Sequence, residues 1–278
     1  MKDLVKSRTG SITIASMVKR GPIAEKTIVV TGAAGGLGVA ISHALRTAGH
    51  RVVGVDLQGA DERLDVTDPD ACRALARRVT PDVWINNAGV LGAGSAADQP
   101  DAEIRRVVEV NLLGVIWGSR AALEVMRPRG TGHVINIGSY SSWITPFGQS
   151  VYSASKHGVR AFTVGLAAES KDSGIDFSLI SPDGIWTPML HDRVDDDMAA
   201  MSFTSPKLLT PEEVAAVVLD VVGRPRLHVM VPQARGLGAR LVGLIPQANV
   251  IVTRILAARG RQVQAKMRRD RLPKGAGR

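Results

Sequence analysis

The sequence predicts an α/β fold: a doubly wound parallel sheet in a single domain, followed by a basic helical extension. Three observations carry that prediction. Short apolar runs alternate with helical patterns from Lys26 to Val231. The first run, Thr27-Ile-Val-Val-Thr, is β-branched throughout, the signature of a buried parallel strand. It passes directly through a glycine-rich turn, Thr31-Gly-Ala-Ala-Gly-Gly-Leu-Gly38, into a helix.

The 278 residues, 45% hydrophobic and 22% charged, suffice for one large domain and argue against wholesale disorder. A lone cysteine, Cys72, excludes an internal disulfide framework and suits a reducing, cytoplasmic compartment. No zinc-type spacing occurs among Cys72 and the six histidines, so no metal is expected. The net charge of +9 is uneven: residues 223–278 carry 13 Lys/Arg and one acid, Asp270, while residues 1–25 carry five bases and two acids. The intervening body sums to −6. Residues 1–25 lack an unbroken apolar core and a small-residue cleavage pattern, and read as a flexible arm rather than a signal peptide. No run of 18 apolar residues predicts a membrane-spanning helix.

Taken in order, the strand at Thr27–Thr31 feeds the glycine turn and a helix from Val39 to Ala48, closed by Gly49. Glycine lets a backbone turn tightly and approach a pyrophosphate, which the following helix N-terminus favours. The second strand, His50 to Asp56, ends in an acid 24 residues after Gly32. A carboxylate there accepts ribose hydroxyls and repels a 2′-phosphate, and no base stands in Ala33–Leu37 or Leu57–Gln58, so NAD(H) is expected over NADP(H). A helix from Pro69 to Val79 and a strand from Asp82 lead to Asn86-Asn-Ala-Gly89, whose small residues and amides suit a cleft wall. A long helix is expected from Ala102 to Met126, with Asn111, a poor helix former, inside it. The run from His133 ends at Ser139.

The next helix, from Val151 to about Ser170, carries Tyr152 and Lys156 four apart, which puts both side chains on one face. A phenol titrates near pH ~10, and bringing it to neutrality requires roughly 4 kcal/mol of preferential stabilisation of the phenolate. A neighbouring ammonium acts in that direction. A strand from Ile175 to Ser181 follows, and then Pro188–Lys207, which mixes Met189, Leu190, Met198, Met201 and Phe203 with Asp195–Asp197, reads as a mobile lid with solvated aspartates. A helix from Pro211 to Val222, capped by Thr210, and a strand from Leu227 to Val231 complete the alternation.

Assembled, these motifs resemble those of the short-chain dehydrogenase/reductase family over residues 26–231: Thr31-Gly-x-x-x-Gly-x-Gly38, Asn86-Asn-Ala-Gly89, Asn111, Ser139 and Tyr152-x-x-x-Lys156. The resemblance implies a Rossmann-type fold with Tyr152 as acid/base, Lys156 lowering its pKa and binding the nicotinamide ribose, Ser139 orienting the substrate oxygen, and Asn111 holding a water. It implies that Gly32, Gly36, Leu37 and Gly38 cradle the cofactor, Asp56 meets the adenosine ribose, Asp65 and Val66 flank adenine, Asn87, Ala88 and Gly89 wall the cleft, and Ile185 and Thr187 hold the carboxamide. Ser141, Trp143, Phe147, Trp186 and Met189 are then expected around a hydrophobic secondary alcohol of steroid, lipid-derived or alicyclic type. A homodimer or homotetramer is implied by analogy. One departure stands out: Asp183 follows Pro182 where the family commonly has glycine, which puts a charge near the nicotinamide end.

Residues 232–278 lie beyond that resemblance and read as two short helices, Ala239–Ile245 and Pro246–Arg259, with Leu241, Leu244, Ile245, Ala248, Ile251, Val252 and Ile255 at helical spacing. Such a face suits cover over the cleft or a subunit contact; the alternative is peripheral contact with an anionic membrane through 234–278. Nucleic acid is not expected, because no aromatic residue interleaves the bases. The rival functions are an NADP-dependent ketoreductase acting on carrier-bound acyl groups and a nonenzymatic dinucleotide-binding regulator.

Overall fold

The computed structural model describes residues 24–271 apart from Pro206. Residues 1–23 of the expected arm, and the end of the extension, 272–278, lie outside the described residues. Strands β1 (Thr27–Thr31), β2 (Arg51–Asp56), β3 (Glu62–Arg63), β4 (Val83–Asn86), β5 (Gly132–Ile137), β6 (Ile175–Pro182) and β7 (His228–Val231) form one parallel sheet in the order β3-β2-β1-β4-β5-β6-β7. The chain starts mid-sheet at β1, runs outward through β2 and β3, and returns to β4 on the other side of β1. That reversal opens a crevice beyond the carboxyl ends of β1 and β4, where ligands of such sheets bind.

Between the strands stand α1 (Gly36–Thr47), α2 (Pro69–Val79), α3 (Asp101–Val108), α4 (Gly114–Met126), α5 (Ser150–Glu169), α6 (Pro188–His191) and α7 (Pro211–Gly223). Successive strand residues serve opposite faces. Ile28 and Val30 of β1 join Ile41, Leu45, Val218 and Val222 of α1 and α7, while Val29 joins Leu75, Trp84, Met126 and Phe177 on the other side. Each fully buried Val, Leu or Ile adds roughly 1.5–3 kcal/mol, so both faces must be covered. Helix starts follow local chemistry: Asp68 accepts from the amides of Asp70 and Ala71 at α2, and Thr210 and Glu213 form a reciprocal capping box at α7.

A polar chain crosses this apolar interior. Asn86 faces its register partner Asn136 and donates to it at 2.8 Å, donates to Ser119 at 3.0 Å, and accepts from the Trp84 indole at 2.8 Å. Asn136 in turn donates to Thr163 of α5 at 2.9 Å. β4, β5, α4 and α5 are thereby joined through fully satisfied buried amides.

Three expectations need correction, and one strand escapes the sequence. The helix expected over 102–126 is divided by a π-helical turn, Glu109–Leu113, with Asn111 at its centre. The two-residue β3 carries no periodicity from which it could be read. The extension forms α8 (Gln233–Gly243) and a long α9 (Pro246–Arg271) that runs straight through Gly260. Glycine there permits close approach rather than ending the helix, since a Cβ would stand 1.9 Å from the Ala200 carbonyl oxygen. The stripe of α9 that packs is the small one of Thr253, Ala257 and Gln264, whereas Leu241, Leu244, Ile245, Ile251 and Ile255 are exposed.

The segment expected as a mobile lid is a folded cap. α6 and a 3-10 turn, Asp197–Phe203, bury Leu190, Val194, Ala199 and Phe203 against Val263 and Met267 of α9. Its aspartates are engaged: Arg268 meets Asp195 at 3.2 Å and Asp197 at 2.9 Å, while Asp196 caps Met198 and pairs with Arg193. Among the described residues no helix is long and apolar enough to cross a membrane.

Candidate active site

The glycine turn follows β1 and is held by side chains aimed at its backbone. Thr31 Oγ1 accepts from the amides of Asn87 and Ala88, both at 3.0 Å, tying the end of β1 to the end of β4. Asn87 Nδ2 donates to the carbonyls of Thr31 and Gly32 at 2.9 and 3.1 Å. Gly32 has φ +66°, and a Cβ on it would lie 2.7 Å from Ala88 Cα. Gly38 lets α1 close on the turn, because its Cβ would fall 2.0 Å from the Gly32 carbonyl oxygen. Asp56, at the end of β2, accepts from the amides of Ala34 and Leu57 at 3.1 and 2.7 Å, so its charge lies against the turn.

A cavity of about 600 Å³ runs from this turn across the sheet ends. Gly32, Gly36, Leu37, Gly38, Asp56, Asp65, Val66, Asn87, Ala88 and Gly89 line it. Ser139, Ser141, Tyr152, Lys156, Ile185, Thr187 and Met189 line it as well, together with Ile144, Pro146, Leu190, Met201 and Leu256, and Thr187 lies close to Gly36. Trp143, Phe147 and Trp186 do not line it. Trp143 lies against the guanidinium groups of Arg160 and Arg240, 3.5 and 4.9 Å from its ring centroid, and its indole Nε1 donates to His228 Nε2 at 3.3 Å. Trp186 rests edge-on against His191, and Phe147 is exposed. Sequence proximity placed these aromatics on the right loops and could not tell inward from outward.

Ser139 caps the short turn Tyr140–Ser142, its Oγ accepting from the Ser141 amide at 3.1 Å, and it also bonds the Tyr152 hydroxyl. Burial pushes the Tyr152 phenol above its ordinary range, and the Ser139 bond acts more weakly in the opposite direction. The expected lowering by Lys156 is therefore not what the chain's own groups produce. Lys156 is 5% exposed, donates to the Ile137 carbonyl at 3.0 Å, and lies 5.9 Å from the Tyr152 ring centroid. Its burial lowers the ammonium to about 8.

Asn111 is fully buried, and its carboxamide is spent on protein. It accepts from the Val90 amide and donates to the Val90 carbonyl, both at 2.8 Å, and reaches Ser155 at 3.4 Å. The side chain braces the strand exit beside Gly89, where a Cβ would stand 3.3 Å from Asn111 Oδ1 and 3.8 Å from Lys156 Nζ. The side chain is thus held in place by the Val90 backbone and Ser155.

Asp183 is neutralised locally. Its carboxylate receives the Arg235 guanidinium, the Ser205 hydroxyl at 2.6 Å and the Gly184 amide at 2.9 Å. Arg235 and Leu256 of the extension, together with Gln149, thus belong to the cavity wall and were missed from sequence. Nothing in their spacing marks them, since their partners lie far away in the chain. Cys72 is buried, with its thiol pushed up to about 12. Among the described residues no three His, Cys, Asp or Glu side chains gather to hold a metal.

A family model described as short chain dehydrogenase matches residues 26–198. The chain is 34% identical over 219 residues to cis-4-hydroxycyclohexanecarboxylate dehydrogenase of Sinomonas cyclohexanicum, covering 70% of this chain and 88% of that one. It is 30% identical over 267 residues to dehydrogenase/reductase SDR family member 7B of Rattus norvegicus, covering 84% and 81%. Among solved structures, levodione reductase superposes with a TM-score of 0.69 at 27% identity, covering 76% of this chain and 98% of that one.

Proposed function

This chain belongs to the short-chain dehydrogenase family, and from that premise we propose that it transfers hydride between NAD(H) and a hydrophobic secondary alcohol or the matching ketone, with alicyclic compounds the favoured class. The observation that carries the reading is the convergence of the glycine turn with Ser139, Tyr152 and Lys156 on one cavity of about 600 Å³, a size suited to a small-molecule site. The cradle fits a dinucleotide, because side chains at Gly32 or Gly38 would collide with backbone just where a pyrophosphate must come close. Gly32 to Gly38 would hold that pyrophosphate, Asp56 the adenosine ribose, Asp65 and Val66 the adenine, Tyr152 and Lys156 the second ribose, and Ile185 and Thr187 the carboxamide.

A nicotinamide dinucleotide bound there would supply the hydride donor or acceptor. Tyr152 would exchange the accompanying proton at the substrate oxygen, with Ser139 hydrogen-bonded to the same atom. Burial raises the Tyr152 phenol and the Ser139 bond opposes that rise, while Lys156, charged below about pH 8, would hold the second ribose beside it. Asn111 acts as a positioning residue through Val90 rather than as a proton carrier. Apolar walls at Ile144, Met189, Met201 and Leu256 support a hydrophobic substrate, and the ring alcohol in the name of the Sinomonas relative supports the alicyclic class.

The test is a panel of secondary alcohols and ketones with each cofactor, read by absorbance of the reduced nicotinamide. NAD should bind at least ~10-fold more tightly than NADP because of Asp56. Tyr152→Phe should lose roughly 10²–10⁴-fold in turnover while still binding dinucleotide. Unchanged turnover in that variant would overturn the mechanism, and tighter binding of NADP would overturn the cofactor.

A further inference from the structure

The outer side of α8 and α9 is unlike the rest of the surface. Fourteen large hydrophobic side chains are exposed among the described residues, and seven of them fall between Leu237 and Ile255. Leu244, at the elbow between the two helices, is 73% exposed, the most of any. Leu237, Leu241 and Leu244 follow one another at spacings of four and three, and Ile251 and Ile255 at four, so each helix carries an outward apolar stripe. Neither helix adds an acid to it, with no Asp or Glu from Gly223 to Arg269. Arg254, Arg259, Arg261 and Lys266 are exposed along α9. The ion pairs of the extension among the described residues belong instead to Arg235 and Arg268, which point back to Asp183 and the cap.

We propose that the α8–α9 elbow docks the protein on an anionic lipid surface, with Leu241, Leu244, Ile245 and Ile251 entering the acyl boundary and the α9 arginines meeting the headgroups. The charge decides among occupants. Two copies joined through this face would bring two basic surfaces together, which electrostatics opposes. An anionic bilayer meets the apolar tip and the basic flank at once. The element is also built to hold its shape, since the inner stripe of α9 is anchored by Gln264, whose Nε2 donates to the carbonyls of Arg193 and Asp196 at 3.2 and 2.8 Å. Because binding is read without turnover, this inference stands or falls separately from the reaction proposed above.

The full-length protein is sedimented with phosphatidylcholine vesicles with and without about 30 mol% phosphatidylglycerol, at low and high salt. Anionic vesicles should bind it at least ~10-fold better than zwitterionic ones, with binding weakening as salt rises. Leu244→Asp with Ile251→Asp, and separately Arg254→Glu with Arg259→Glu, should each weaken binding by ~10-fold or more while leaving thermal unfolding unchanged. If the aspartate variant fails to fold, Leu244→Ser with Ile251→Ser gives the same readout. No binding to anionic vesicles at low salt would overturn the proposal. So would binding that the arginine variant abolishes and both apolar variants leave intact. Self-association in sedimentation velocity that the apolar variants dissolve, with no vesicle binding, would assign the face to a second copy instead.

Discussion

Two stretches of the cavity wall are made in different ways. Around the glycine turn, side chains and missing side chains position backbone: Asn87 bonds two turn carbonyls, Thr31 gathers two amides, and Gly38 allows a helix to press on a carbonyl. Around Asp183 and the cap, the wall is an assembly of side chains from segments distant in sequence, with Arg235 reaching Asp183 and α9 gripping the cap through Gln264 and Arg268. Backbone recognition leaves a short local signature. Tertiary assembly leaves none, because each partner is an ordinary residue until the fold brings them together.

The contrast can be broken from either end. The largest effect is expected for Gly38→Ala, where the new methyl would meet a backbone oxygen that cannot yield. A loss of about 3–5 kcal/mol in denaturant unfolding is expected, with dinucleotide binding abolished. Gly36→Ala is the internal control, since its nearest neighbour is Pro188 Cδ at 3.1 Å, and it should stay folded. Gly260→Ala comes next: a helix-propensity gain of about 1 kcal/mol is outweighed by collision with Ala200, leaving a net loss of ~2 kcal/mol. Here calorimetric titration should show dinucleotide affinity retained while substrate KM rises, the reverse of Gly38→Ala.

Arg235→Met strips the partner from a mostly buried carboxylate and should cost about 1–3 kcal/mol. Adding Asp183→Asn should recover part of that loss, and a double-mutant cycle showing simple additivity would sever the link between extension and site. The smallest effect concerns Lys156, whose ammonium burial lowers to about 8 from the ordinary 10.5. Between those values the unfolded chain binds more protons, so stability rises with pH. Relative to Lys156→Met, the wild type should gain about 1 kcal/mol between pH 8 and 9 and nothing well below pH 8, measured by chemical unfolding at each pH.

Much of the sheet was legible because its strands are short apolar runs beside turn residues, and α7 because Thr210 and Glu213 advertise its cap. Ser139, Tyr152 and Lys156 were legible because spacing along one helix and one strand end translates directly into proximity. In the cap, Leu190 and Phe203 could be seen in sequence as an apolar cluster, but not the Val263 and Met267 of α9 that cover them. α9 was misread. Periodicity located an apolar stripe, and the stripe that packs is the inconspicuous one of Thr253, Ala257 and Gln264. Asn111 showed its oddity as a helix residue, yet its bonds to Val90 could be seen only in three dimensions.

The linked amides of Asn86 and Asn136 have a consequence for fidelity. A sheet whose strands are uniformly apolar could slide by a residue at little cost to its greasy contacts, carrying Asn87 and Ser139 out of step with one another. Any such slip would break the Asn86–Asn136 and Asn136–Thr163 bonds and leave the Asn136 amide unpaired in a dry interior. A handful of buried polar side chains thus act as a combination lock on the alignment of the strands that carry Asn87 and Ser139.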